Sequence, residues 1–189
     1  MTGSILYVLP IPPAVVTETI TADGDDGLET GSGWSSDGLF GTDLAPVGNW
    51  NGACWVSLHY DSIPFNRNVK LEQALLQFYI SLVTGNGGIS RVYGQAIADA
   101  ARPDNASNKP SGMTLTANYV DIPLLDTVGS VTVDVRPVII ELLSQPGWVN
   151  GNAINLIIAD NASGLNNYGA LSLLGQVNSD GTPLRMAGG

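Results

Sequence analysis

A chain of 189 residues with 44% hydrophobic and 13% charged residues is too apolar for intrinsic disorder and long enough to bury one sizeable core. Seven Lys plus Arg against 17 Asp plus Glu leave a formal net charge of −10. Such a surface repels phosphate backbones and anionic lipid, so neither a nucleic-acid partner nor a membrane is expected. The single cysteine, Cys54, excludes an intramolecular disulfide, and 23 Gly with 11 Pro call for many turns between short strands.

Residues 1–14 read as an extended N-terminal arm. Pro10, Pro12 and Pro13 exclude a helix interior, while Ile5, Leu6, Val8, Leu9 and Ile11 need apolar cover. That cover is either the chain's own sandwich or a neighbouring subunit. No basic residue precedes the apolar stretch and prolines interrupt it, so it reads as neither a signal peptide nor a membrane span. Residues 15–189 show no internal repeat and no interdomain linker, and are expected to form one β-sandwich domain.

Within that domain, Val15 to Ala22 reads as the first strand. Asp23-Gly24-Asp25-Asp26-Gly27 follows, then a Gly/Ser-rich stretch through Gly52 that holds Trp34, Phe40 and Trp50 and reads as a long packed loop. In Ala53 to Tyr60 the residues alternate, with Cys54, Val56, Leu58 and Tyr60 on one face and Trp55, Ser57 and His59 on the other. Leu71 to Val83 is the strongest strand, with Ala74, Leu76, Phe78, Ile80 and Leu82 sharing a face. Gly85-Asn86-Gly87-Gly88 is a turn that predicts a hairpin with a partner strand over Ile89 to Ala98. Ala100 to Gly112, with Pro103 and Pro110, reads as a loop. Thr114 to Ile122 and Ser130 to Val135 read as short strands.

The period then changes. Val138, Ile139, Leu142 and Leu143 fall at helical spacing, Pro137 suits a first turn, and Pro146-Gly147 ends the run. Ala153 to Ala159 returns to strand, and Ala170 to Leu174 is a last strand before a Gly-rich tail. Many strands and one short helix predict an all-β, antiparallel, jelly-roll-like sandwich.

The residues that carry chemistry are few. His59 is the sole histidine, and a nucleophile–base–orienter arrangement needs more than a strand histidine beside Ser57. Its expected place is the surface or a hydrogen-bond network. Cys54 alternates inward and reads as a buried structural thiol. Too few His and Cys are present for a zinc centre, and Gly85 to Gly88 lacks the lysine and helix of a phosphate loop. Asp23, Asp25 and Asp26, with Glu29, read first as a solvated acidic loop, second as calcium ligands, and last as hydrolase carboxylates. No cofactor and no enzymatic activity are expected. Trp34, Trp50, Trp55 and Trp148 are read chiefly as packing residues, with Trp55 the one placed to face solvent and stack on a sugar.

Three segments carry a resemblance. They are Asp25-Asp26-Gly27, Ile63-Pro64 ahead of Val69 to Phe78, and above all Val138 to Ile154 with its short helix, Pro146-Gly147-Trp148 exit and Gly151-Asn152 entry into the next strand. Together they resemble a jelly-roll module of tailed-phage virion proteins, related to some surface-associated, carbohydrate-binding-like domains. The resemblance spans roughly residues 15 to 160. It implies a virion protein on the outer capsid surface, a decoration or cement protein that binds the major capsid protein, with a trimer favoured. Its partner contacts are expected at Ile5, Leu6, Val8, Leu9, Ile11, Trp34, Phe40 and Trp50. The alternatives are a tail-associated structural protein and a carbohydrate-binding module.

Overall fold

The computed structural model describes residues 16–18, 25–30, 33–35, 45–49, 52–104, 108–164, 167–172 and 186–188. In chain order its strands are β1 (Val16–Glu18), β2 (Asp26–Thr30), β3 (Gly33–Ser35), β4 (Ala45–Asn49), β5 (Trp55–Tyr60), β6 (Ala74–Thr84), β7 (Gly88–Gly94), β8 (Val120–Leu125), β9 (Gly129–Asp134), β10 (Ile154–Asp160), β11 (Asn167–Ser172) and β12 (Met186–Gly188). One α-helix, α1 (Arg136–Leu143), lies between β9 and β10. The strands form two six-stranded antiparallel sheets. The all-β sandwich with one short helix is therefore the architecture that the periodicity predicts.

The first sheet is organised by β6. Strand β9 lines one of its edges, and β12 and β11 share the other, since Leu75 pairs with both Asp134 and Ala187 while Ile80 pairs with both Gly129 and Leu171. The second sheet runs β3-β2-β5-β10-β7-β8. Leu76, Phe78, Ile80 and Val133 of the first sheet share one core with Val56, Leu58, Val92, Leu156 and Ile158 of the second. Helix α1 packs on β6 and β7 and adds Val138, Ile139, Leu142 and Leu143 to that core. Its first turn holds Pro137, where the missing N–H costs no helical bond, and Gly147 beyond it takes a left-handed φ of 91°.

Four expectations change. The β6–β7 pair is not a hairpin, because β6 lies in the first sheet and β7 in the second. Strand β6 has β9 on one edge and β11 and β12 on the other, and β7 has β10 and β8, so neither strand has an edge left for the other and the chain crosses between sheets. Gly88 then lies so close to the Val47 carbonyl that a Cβ would not fit.

Leu82 does not share the face of Ile80. The β6–β11 register shifts between Ala170 and Leu171, leaving Ser81 as the extra residue, and a bulge of this kind reverses the alternation beyond it. Val83 packs on the core instead, and Leu82 is 45% exposed. The supposed long loop before Gly52 contains β2, β3 and β4. Its Gly-rich sequence has no period of its own, and β2 is aligned by the backbone of β5, with Asp26 opposite Leu58. Finally, of Thr114 to Ile122 only the end from Val120 is strand, since Leu115 makes just an isolated bridge to Gln95.

The stretch from Gln95 to Tyr119 does something a surface loop need not do. Alternation puts Ser57, His59, Asn155 and Ile157 on the face of the second sheet that points away from the core, yet all four are buried. The described parts of the stretch, residues 95–104 and 108–119, lie over them as a cover. It is bonded through Gln95 N–H to Asn155 O, Ala100 N–H to Ala153 O and Asn152 Nδ2 to Ala98 O, and a 3-10 turn at Pro110–Gly112 packs on β5. Strand β10 is thus enclosed on both faces, which accounts for its nearly unbroken apolar run.

A Cβ on Gly94 would meet the Leu142 side chain at 2.7 Å. Gly94→Ala is expected to cost about 1–3 kcal/mol by overpacking. Leu142→Ala is expected to cost about 2–5 kcal/mol by leaving a cavity. Because the two changes compensate in space, urea unfolding of the double variant should show a loss smaller than the sum of the single losses.

Candidate functional site

A set of polar side chains from β5, β10 and the cover converges beneath and along the cover. His59 is 3% exposed. Its Nδ1 lies 2.7 Å from Asn155 Oδ1 and its Nε2 lies 2.9 Å from Asp61 Oδ1. Arg102, from the cover, reaches Asp61 Oδ2 at 2.8 Å and Asp25 Oδ1 at 3.0 Å. Asn155 Nδ2 donates to Gln95 Oε1 and to the Ala101 carbonyl, both at 2.8 Å. Asn108 Oδ1 accepts from Gln95 Nε2 at 3.0 Å, and Asn108 Nδ2 donates to the carbonyls of Ala101 and Arg102.

Two carboxylates fasten the cover at other points. Glu29 of β2 accepts from the N–H and hydroxyl of Ser111. Glu141 of α1 accepts from the backbone N–H of Ala117 and Asn118 and from Asn118 Nδ2, each at 2.8 Å.

The electrostatics follow from these contacts. The Arg102 bond holds the Asp61 carboxyl below its ordinary value against the opposing effect of desolvation, and His59 adds to the depression. Arg102 is raised in turn, first by Asp61 and then by Asp25. Desolvation alone would raise Glu141, but its backbone and side-chain donors outweigh that and leave it lowered. Burial pushes the Tyr60 phenol well above its usual range, so it is a neutral core residue.

Among the sequence candidates, His59 is in a network rather than on the surface, and Cys54 is a buried free thiol. Asp25 and Asp26 are not a solvated loop. Both are buried, Asp26 as the first residue of β2 at 1% exposure, and Asp25 faces Arg102. Asp23 lies outside the described residues, and among those described no three His, Cys, Asp or Glu side chains gather as a metal site. Glu29 is spent on Ser111. Trp148 is buried, with Nε1 donating to the Phe65 carbonyl at 2.8 Å. Trp34 is in β3, paired through its backbone with Glu29. Ile5, Leu6, Val8, Leu9, Ile11, Phe40 and Trp50 lie outside the described residues.

Trp55 stands on the outer face of the second sheet, half-buried. The register runs Trp55, Ala159, Arg91, Asp121 across four strands, with Tyr93 and Tyr119 one step along. Arg91 lies 4.2 Å above the Tyr119 ring and 2.6 Å from Asp121 Oδ1, and the Tyr93 and Tyr119 rings are 5.5 Å apart. Tyr93, Tyr119 and Arg91 were not singled out in the sequence. Likewise Gln95, Arg102, Asn108 and Asn155 gave only one signal, the lone asparagine inside the apolar run Ile154 to Ile158, since a polar side chain in such a run must find partners.

None of the family models, curated proteins or solved structures compared with the chain matches it.

Asp61 and Glu141, whose ordinary values are 3.8 and 4.5, are both lowered in the folded state. Their contribution to stability is therefore complete above those values and is lost as pH falls through the lower folded ones. The double variant Asp61→Asn/Glu141→Gln should lose stability less steeply on acidification than the wild type. Urea unfolding midpoints taken across the acid range measure this.

Proposed function

We propose that the protein is a non-enzymatic structural component of a tailed-phage virion, a decoration or cement protein of jelly-roll type on the outer capsid surface. In this reading it binds the major capsid protein, as a trimer, and ties neighbouring capsid subunits together. A protein that binds the assembled shell in preference to its dispersed parts stabilises the shell by mass action.

The observation that carries the reading is one end of the sandwich. The turn between β6 and β7 abuts the one between β8 and β9, with Gly87 against Leu125 and Asp126. Around these turns Leu82, Ile89, Leu124 and Val128 are each at least 42% exposed. Apolar side chains gathered on a surface mark protein contacts. Asp25, Glu29, Asp61 and Glu141, by contrast, are occupied in holding the cover. The sole histidine is buried, and its ring nitrogens face Asn155 and Asp61 rather than a hydroxyl or thiol nucleophile. The segment from Val138 to Ile154, which carries the resemblance to phage virion modules, forms α1 and the entry into β10.

A second reading rests on Trp55, Tyr93 and Tyr119. Three aromatic side chains on one sheet face, with the Arg91–Asp121 pair among them, suit a sugar ring stacked on an aromatic plane and hydrogen-bonded at its edge. This is the carbohydrate-binding reading. It predicts a glycan-dependent change in tryptophan fluorescence that Trp55→Ala abolishes.

Sedimentation of the purified chain with undecorated capsids distinguishes the two. The decoration reading expects co-sedimentation, weakened at least about tenfold by Leu124→Asp/Val128→Asp, a loss in the range of an interface hot spot. It expects a further loss on deletion of residues 2–14. A chain that stays in the supernatant with capsids, and binds on a glycan array, overturns decoration in favour of sugar binding. Tail-derived particles as a parallel bait test the tail-associated alternative.

A further inference from the structure

The first sheet ends at β1, β4 and β9, and the second at β3 and β8. An edge strand turns half of its backbone N–H and C=O groups outward, where another chain can pair with them. Four of these edges are blunted: β1 and β3 are three residues long, β4 contains Pro46, and β8 contains Pro123 and pairs with β7 through a register shift. Strand β9 has none of these guards. Its six residues, Gly129 to Asp134, include no proline and no lysine, and they pair without a shift along Ile80 to Leu75 of β6. Among the described residues β6 is its only strand partner.

We infer that β9 pairs with β9 of a second copy of this chain, antiparallel about a two-fold axis, so that the first sheets of the two copies become one. A two-fold contact must be self-complementary, and the residues of β9 meet that demand. An axis normal to the sheet keeps each side chain on its own face, so the residue at the axis faces itself. With Thr132 there, Thr132 stands opposite Thr132 of the second copy, Ser130 opposite its Asp134, and Val131 opposite its Val133. Threonine pairs are favourable across strands, valine pairs extend the apolar face, and no like charges are opposed. Centring on Val131 instead would set Val133 opposite Gly129, with no side chain to meet it.

Burial and charge favour the same occupant. Val133 is buried and Val131 beside it only partly so, and a second β9 covers Val131 from the open side. Ser130 and Thr132 are exposed on the outer face, where Thr132 Oγ1 accepts from Gln77 Nε2 at 3.3 Å. The net charge of −10 makes the surface as a whole self-repelling. In β9 the one charged residue is Asp134, and Arg136 lies 2.7 Å from its Oδ2, so the edge is neutral where a second copy approaches. A two-fold contact does not close a trimer. In a trimeric assembly it joins a copy of one trimer to a copy of the next. The inference goes beyond the decoration reading and does not rest on it.

Sedimentation velocity of charge variants tests the axis. Thr132→Lys and Thr132→Glu each set like charges face to face. Each should weaken self-association about fivefold and sediment more slowly than the wild type at the same concentration. An equimolar mixture should recover the wild-type value, because lysine then faces glutamate. Variants that sediment like the wild type overturn the inference, and so does a mixture no faster than its parts. Opposed Cα atoms in an antiparallel pair are about 4.5–5.5 Å apart, within reach of a disulfide. Oxidised Thr132→Cys should therefore form a linked dimer, while Lys70→Cys, exposed ahead of β6, should not. Cys54 is buried and offers no competing thiol. A Thr132→Cys chain that stays single overturns the pairing, even where the charge variants fail to fold. So does one that links only after deletion of residues 2–14, since the chain's own arm then holds the edge. Neither assay contains capsids, so failure here leaves the decoration reading standing.

Discussion

The enclosure of β10 on both faces is the constraint from which the rest of the molecule follows. One face of this strand, through Ile154, Leu156 and Ile158, belongs to the core shared with the other sheet. Its other face carries Asn155 and Ile157, neither with any exposure. An antiparallel sheet ordinarily leaves one face to water. Once that face is closed, every polar group on it needs a partner from the protein. For Asn155 the long segment between β7 and β8 supplies the Gln95 side-chain oxygen and the Ala101 carbonyl, and β5 supplies His59.

That arrangement explains how a chain of low charge content uses its ionic groups. Arg102 joins two carboxylates that come from different parts of the chain, one before β2 and one after β5. Glu141 and Glu29 each accept two or more hydrogens from the cover. Exposed ion pairs contribute little to stability by themselves. Here they matter by position, because each fixes one point of a segment without regular strands of its own. Among its described residues Ala100, Met113 and the prolines at 103 and 110 are buried apolar members.

Much of the fold was legible because its strongest elements have a period. The alternation in β5 and β6, the helical spacing of Val138, Ile139, Leu142 and Leu143, and the apolar run of β10 all became the expected elements. What was not legible depends on a partner. Strands β2 to β4 take their conformation from pairing with neighbours, as Asp26 to Glu29 do along β5. The bulge at Ser81 reverses Leu82 and Val83 without any Gly or Pro to announce it. The Gly85 to Gly88 turn carries the residues of a hairpin, yet β6 and β7 each pair on both edges with other strands, so the chain crosses the sandwich instead. For the polar cluster, His59 and Asp25 were visible as residue types. Their meeting required Gln95, Arg102, Asn108 and Asn155, which lie as much as 130 positions from Asp25 in the chain.

The same comparison separates what holds the protein together from what it presents to others. Histidine, cysteine and the acidic cluster are the residues a reader of sequence inspects first for chemistry. In this molecule Cys54, His59, Asp25 and Asp26 are all enclosed; His59 meets Asn155 of β10 and Asp61 beyond β5, and Asp25 meets Arg102 of the cover. Exposed among the described residues are side chains that ordinary inspection passes over, among them a few aliphatic ones at the turns and Tyr119 beside Arg91. The enclosed polar groups serve the fold instead, because their bonds tie the cover to β10 and to the exit of β5.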